Sequence, residues 1–404
     1  MKTTDFAHRK MRRKHRAKLR REQLDVVQLL ADGVTSKLVP LLEAPEFDFE
    51  VFEDLLWDHR LYNLAYEILD NDGLRRCPPA WFISSLEKHR VASTARRARL
   101  LSCLDAIDQQ FVSAGIDYRL LKGFAISAQY YPALDRRDQG DIDLLVRPDQ
   151  VGRAIEELEQ SGCRAEKPVP WQSLIYINEV LLRGQESKID LHWSLRNPGH
   201  SFSLNERALW KSVTKVNIDG KSIATVSDEY CLVGLLLSIS EDIGLGRCRA
   251  KLFVDVYLLI SKWDERFDWQ RFLARRRREN LDQLCAVVLS MLCHLFRPNI
   301  RLTALSECLA LLPPAWRISR NATWELLQNP RDHPANRVWS QSLRPVTWSS
   351  KMKWYVRKTK FYLRFCPQAI PLAILRKLHL LRSTGLDSCT LTSPSVVNPP
   401  SKDD

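Results

Sequence analysis

The segment Gly140-Asp-Ile-Asp-Leu-Leu-Val146 constrains this chain more than any other. In an extended strand successive side chains point to opposite faces, so Asp141 and Asp143 share one face while Ile142 and Leu144 share the other. Such a strand needs an apolar layer on one side and gathers two carboxylates on the other. Like charges that close disfavour double ionisation. A divalent cation, Mg²⁺ or Mn²⁺, removes the conflict, since it takes hard oxygen ligands from one or two carboxylates and from substrate phosphate. The spacing by itself says little. Asp70-Asn-Asp72 has it too, in the turn composition Asp-Asn-Asp-Gly73 with no flanking strand.

Weight comes from two further segments. In Ile189-Asp-Leu-His-Trp193 the apolar Ile189, Leu191 and Trp193 alternate with Asp190 and His192. If this strand lies beside the first, Asp141, Asp143 and Asp190 converge, the arrangement for two metal ions about 3.5 to 4 Å apart that clamp a phosphoryl group in transfer. Asp190 is then the base for an incoming hydroxyl, and His192 either supports the acids or is a hydrogen-bonded structural histidine. Upstream, Lys122-Gly123 sits where a strand gives way to a helix, offering free amide groups, close backbone approach and a positive charge to a triphosphate. Arg137, four residues before Asp141, is within reach of the same phosphates.

Around these segments the hydrophobic period alternates between helix and strand. Residues 23–94 read as a helical N-terminal region, with Leu30, Val34, Leu38 and Leu41 and then Leu55, Leu56, Leu61, Leu64 and Ile68 at helical steps. Residues 95–225 read as a small mixed sheet with helical cover: a helix through Leu100 to Val112 stopped by Gly115, a strand at Tyr118 to Leu121, and a helix over Phe124 to Tyr131. A strand at Asp141 to Val146 follows, then a helix opened by Pro148 and Asp149 and stopped at Gly162. Strand-like stretches at Leu174 to Leu182 and Lys188 to Leu195 come last. Residues 226–382 return to helical pattern, beginning with Ser227 and Asp228 as a cap. Within them Asp255 stands in a strongly apolar helix, where a buried acid must either pair with a basic residue or face the cleft. Arg275 to Arg278 reads as a solvated helix face. Trp348 to Leu381 reads as amphipathic helix, and residues 383–404 as a disordered tail. The fold class is therefore α+β, a small mixed sheet between mostly helical flanks.

Charge narrows the partners. The first 22 residues carry ten Lys or Arg against Asp5 and Glu22, so eight of the thirteen net positive charges belong to this basic arm rather than to the body. The arm is a solvated tail or helix, or a contact for polyanions such as RNA or acidic lipid. Apolar runs at Cys231 to Ile239 and Leu284 to Phe296 fall short of the roughly 18 to 20 residues a membrane span needs. Ten cysteines show no zinc-like spacing. A reduced, cytoplasmic protein with cysteines as small core residues is expected.

Taken in order, Leu121-Lys-Gly123, Arg137, Gly140-Asp-Ile-Asp-Leu-Leu-Val146 and Ile189-Asp-Leu-His-Trp193 resemble the uncharacterised nucleotidyltransferase family of the polymerase-beta-like superfamily. The resemblance is strong from about Leu100 to Trp193 and weaker to about Lys262. It implies a minimal nucleotidyltransferase fold, Mg²⁺ (or Mn²⁺) as two ions on Asp141, Asp143 and Asp190, and phosphate contact at Gly123. It also implies transfer of NMP from a nucleoside triphosphate to a hydroxyl of a small-molecule, sugar or protein acceptor. One departure stands out: many superfamily members have Gly-Ser where this chain has Gly123-Phe124, leaving the phosphate contact to Lys122 or Ser127. A catalytically inactive nucleotide-binding or interaction protein of the same fold is the alternative. A glycosyltransferase with an Asp-x-Asp metal pair would need a larger α/β sheet before the pair, where this chain is helical.

Overall fold

The structure, a computed structural model, describes residues 26, 27, 30, 37–71, 73–165, 178–184, 187–195, 204–263, 267–296 and 300–328. The basic arm, Asp72, the Trp348 to Leu381 stretch and the C-terminal tail lie outside the described residues, as do residues 174–177 of the expected strand there.

The segments with alternating polarity pair into one mixed sheet of seven strands: β1 Tyr118–Leu121, β2 Ile142–Val146, β3 Arg164–Ala165, β4 Glu179–Arg183, β5 Lys188–His192, β6 Val213–Ile218 and β7 Lys221–Val226. Their spatial order is β3-β4-β5-β2-β1-β7-β6. At its centre β2 runs antiparallel to β1 and parallel to β5, with Asp143 beside Asp190 and Leu144 beside Leu191. The side-by-side placing of the two acid-bearing strands is therefore observed. The β6–β7 hairpin was not anticipated, although Asp219-Gly220 signals it: both residues have positive φ, 48° and 83°, as a tight hairpin turn requires.

One face of this sheet is predominantly apolar, with Thr225 buried beside Leu120 and its hydroxyl donating to Leu120 O at 2.6 Å. Leu120, Ile142, Leu144, Val146, Val180, Leu182, Ile189, Leu191 and Ile223 pack there against Leu100, Leu104, Ile107 and Phe111 of a long helix and against Val151, Ala154 and Leu158 of the helix after β2. The long helix, α4 (Ala80–Ser113), follows three short ones, α1 (Leu38–Leu42), α2 (Phe49–His59) and α3 (Tyr62–Asn71). It runs unbroken past residue 94 and serves two cores, Phe82 and Leu86 packing with the N-terminal helices and Leu100 to Phe111 under the sheet. Beyond it stand α5 (Lys122–Tyr130), α6 (Val151–Gln160), α7 (Glu206–Lys211), α8 (Asp228–Gly244), α9 (Ala250–Ser261), α10 (Trp269–Arg278), α11 (Asp282–Leu295), α12 (Ile300–Ala310) and α13 (Arg320–Gln328).

The second core joins the two helical flanks that are distant in sequence. Leu55, Leu56, Leu64 and Ile68 share it with Leu232, Leu236, Phe253, Val256 and Leu289, and the other sheet face contributes only Leu121, Leu145 and Val226 among its strand residues. Asp143, Glu179, Lys188, Asp190 and His192 also lie on that face. Cys163, Cys231, Cys248 and Cys285 are buried thiols, as expected of small core residues. Among the described residues no helix is long and apolar enough to cross a membrane.

Candidate active site

Alternation on β5 puts Lys188, Asp190 and His192 on the polar sheet face, and the parallel register sets Asp190 beside Asp143 and His192 beside Leu145. Asp141 immediately precedes β2, so the three expected acids come together at one end of two adjacent strands. Lys188 Nζ joins two of them, 3.1 Å from Asp141 Oδ2 and 3.3 Å from Asp190 Oδ2. Lys122 Nζ lies 3.1 Å from Asp143 Oδ1. Two ammonium groups thus sit among three carboxylates. Neutralisation is uneven: burial, then Asp143 and Asp141, push the Asp190 carboxyl up to about 6. For Asp143 burial acts in the same upward direction, but Lys122 and then His192 overcome it and hold its carboxyl far below the usual range.

His192 is fully enclosed and bonded at both ring nitrogens, Nε2 3.2 Å from Asp143 Oδ1 and Nδ1 3.0 Å from Glu179 Oε2. Burial and Lys122 oppose its protonation, yet the two carboxylates prevail and its pKa is raised. The result is a carboxylate–imidazole–carboxylate chain that fixes the orientation of Asp143. Glu179, opposite His192 across β4 and β5, and Lys188 are the site residues that reading the sequence missed. Lys188 was within reach of the rule that found the acids, since it stands two positions before Asp190. Glu179 depends on the antiparallel register of β4, which no local pattern specifies.

Lys122 opens α5 with a φ of 41°, a left-handed conformation unfavourable for a residue with a side chain. Strain of this kind collects at functional positions. The cap residue Leu121 supplies no side-chain hydrogen bond to the first turn of α5, so side-chain capping does not satisfy its amide groups. A Cβ on Gly123 would meet Asp143 Oδ2 at 4.0 Å and Asp141 O at 3.6 Å. The helix start, the Asp143 carboxylate and the Asp141 carbonyl therefore line the same small space, and glycine leaves part of it open.

Two phosphate contacts expected from sequence are engaged elsewhere. Arg137 gives Nε and Nη2 to Asp255 at 2.8 and 2.9 Å, and the phenol of Tyr131 donates to the same carboxylate at 2.8 Å. Asp255 is fully buried, so of its two expected roles the structure shows pairing with a basic residue. The physical reason is desolvation: a buried carboxylate needs a fixed cation, and the loop before β2 supplies one. Ser127 is buried and accepts from Gln139 Nε2 at 2.9 Å, while Phe124 packs in the apolar core. Beside them Lys251 Nζ donates to Asp138 O at 2.5 Å, its pKa pushed down to about 7 by burial and Arg137. On α10, Arg275 and Arg276 pair with Glu229 rather than forming a purely solvated face.

A small cleft adjoins the cluster, with Lys122, Glu179 and His192 on one side and Tyr230, Leu235, Ser238 and Glu241 of α8 on the other. No group of three or more His, Cys, Asp or Glu side chains among the described residues is already gathered as a metal-holding set, and Lys188 bridges Asp141 and Asp190. The chemistry of the donor set nonetheless suits a hard divalent cation: oxygen donors only at Asp141, Asp143 and Asp190, and excess negative charge that raises Asp190.

Fold and site together define a mixed α+β protein whose central strands present acids against a lysine-opened helix. The family model of uncharacterised nucleotidyltransferases matches residues 45–297, and the chain belongs to that family. A comparison with curated proteins yields no match. Among solved structures the chain is similar to the antibiotic-resistance factor ANT(2'')-Ia, at 13% identity over 45% of this chain and 91% of that one, with a TM-score of 0.33. The lincosamide antibiotic adenylyltransferase LnuA, bound to lincomycin, is similar at 20% identity over 39% and 94%, with a TM-score of 0.28. An antigenic nucleotidyltransferase-like protein from Paracoccidioides brasiliensis is similar at 17% identity over 46% and 91%, with a TM-score of 0.28.

Proposed function

We propose that this member of the nucleotidyltransferase family moves a nucleotide from a nucleoside triphosphate to a hydroxyl of a small-molecule, sugar or protein acceptor, with divalent metal held by Asp141, Asp143 and Asp190. The observation that carries the reading is the convergence of these acids with the uncapped start of α5 in one space. Lys122 and the first amide groups of α5 would receive the triphosphate. His192, braced by Glu179, keeps Asp143 in place. Asp190 would accept a proton from the acceptor hydroxyl. The metal, Mg²⁺ or Mn²⁺, would supply Lewis-acid neutralisation of the phosphoryl charge. The cleft beside Lys122 and His192 borders the same site.

A second reading, nucleotide binding without turnover, is favoured by Phe124, whose side chain is committed to the core where relatives of the superfamily place a hydroxyl. One experiment separates the two. Cell extract incubated with α-labelled nucleoside triphosphates, Mg²⁺ or Mn²⁺ and the purified chain is expected to yield a labelled acceptor, lost in Asp141→Asn and Asp143→Asn. Nucleotide binding without any labelled product favours the second reading. Neither label nor acid-dependent binding overturns both.

A further inference from the structure

Among the groups at the site Lys188 is the one whose role is unassigned, and its position is set by the backbone. It lies on β5 two residues before Asp190 and thus on the same face. Continuing the register by two residues from Asp143 beside Asp190 sets it opposite Asp141. Its nitrogen contacts both carboxylates, at 3.1 and 3.3 Å. Lys122 by contrast contacts Asp143 alone among the three acids. Lys188, Asp141 and Asp190 are each about a fifth to a third exposed, so the contact stands at the open side of the site, where an incoming ion would arrive.

We propose that Lys188 is a built-in cation that takes the place of one divalent ion, so that the site binds a single divalent ion at Asp141 and Asp143. This rests on the nucleotidyl-transfer reading of the site and replaces the two-ion arrangement expected from the sequence. Three carboxylates with two ammonium groups leave one net negative charge in the immediate cluster. One divalent ion reverses that to one net positive charge, suited to a triphosphate; a second would have to enter beside Lys188 and repel it. On the acceptor side the ammonium steadies Asp190 and offsets charge as the attacking oxygen loses its proton.

The test is titration of the purified full-length chain with Mn²⁺ alone, free Mn²⁺ being followed by electron paramagnetic resonance and folding by circular dichroism. Wild type is expected to saturate at one ion. Lys188→Met, which keeps the aliphatic stem, is expected to take up a second or to bind its first at least tenfold more tightly. Lys188→Arg, which keeps the charge, is expected to behave as wild type. Two ions on wild type overturn the proposal whatever the variants do. One ion of equal affinity on wild type and on Lys188→Met overturns the role of Lys188 while sparing the proposed function. No ion on either overturns the proposal together with the metal part of that function.

Discussion

The two faces of the central sheet are made from alternate residues of the same strands and are held to opposite standards. Toward α4 and α6 the strand positions are mostly apolar and buried, and packing satisfies them. Toward α5 and α8 the same strands present Asp143, Asp190, His192, Glu179 and Lys188, whose charges are only partly balanced. The first face is optimised for folding. The second carries unfavourable carboxylate contacts that folding alone does not reward, the signature of a surface kept for a ligand.

Substitutions at neighbouring positions test that contrast. The largest effect is expected for Asp143→Asn, which should drop nucleotidyl transfer to background per folded molecule. Leu144→Ala, one residue on, should preserve turnover per folded molecule while costing about 2 to 5 kcal/mol in denaturant unfolding, as for other buried leucines. If Leu144→Ala instead abolished transfer with little loss of stability, the division of labour between faces would fail.

Asp190 sharpens the comparison in the opposite direction. Its carboxyl is raised from the ordinary range to about 6 by burial and by Asp143 and Asp141. A raised carboxyl favours the protonated fold, so its contribution is present below about pH 4 and lost as pH rises through 6. Asp190→Asn is therefore expected to stabilise the metal-free protein at pH 7 by about 1 to 3 kcal/mol, the cost of ionising so raised a carboxyl in the fold, discounted for its partial exposure. That gain should vanish toward pH 4, while transfer is lost. Thermal unfolding across pH checks this, and equal stability of the two proteins at pH 7 would contradict it. Smallest is Glu179→Gln, which removes the brace on His192 without touching the acids. Mn²⁺ affinity should weaken about 10- to 100-fold with unfolding midpoint nearly unchanged.

The acids were legible because a strand with one buried face writes its register in the alternation of its own residues. Asp141, Asp143 and Asp190 could be assigned to a common face before any contact was known, and β2 and β5 do pair there. Glu179 was not, because its place depends on how β4 aligns with β5, a relation between strands. Arg137 was assigned to phosphate by proximity in sequence, whereas its partner Asp255 lies 118 residues away on α9. The N- and C-terminal helical flanks were each recognised from helical spacing. That they share one core is a long-range fact the spacing does not contain. The β6–β7 hairpin was legible in Asp219-Gly220 and escaped notice because its strands alternate weakly.

On this reading the polar face holds a metal–nucleotide complex at the strand ends. Crystals grown with Mn²⁺ and a non-hydrolysable nucleoside triphosphate, with diffraction recorded near the manganese edge, test it most directly. An anomalous peak is expected within coordination distance of Asp141 and Asp143, with phosphate oxygens on the first amide groups of α5 and beside Lys122. Nucleotide bound elsewhere, or manganese bound away from both aspartates, would contradict it.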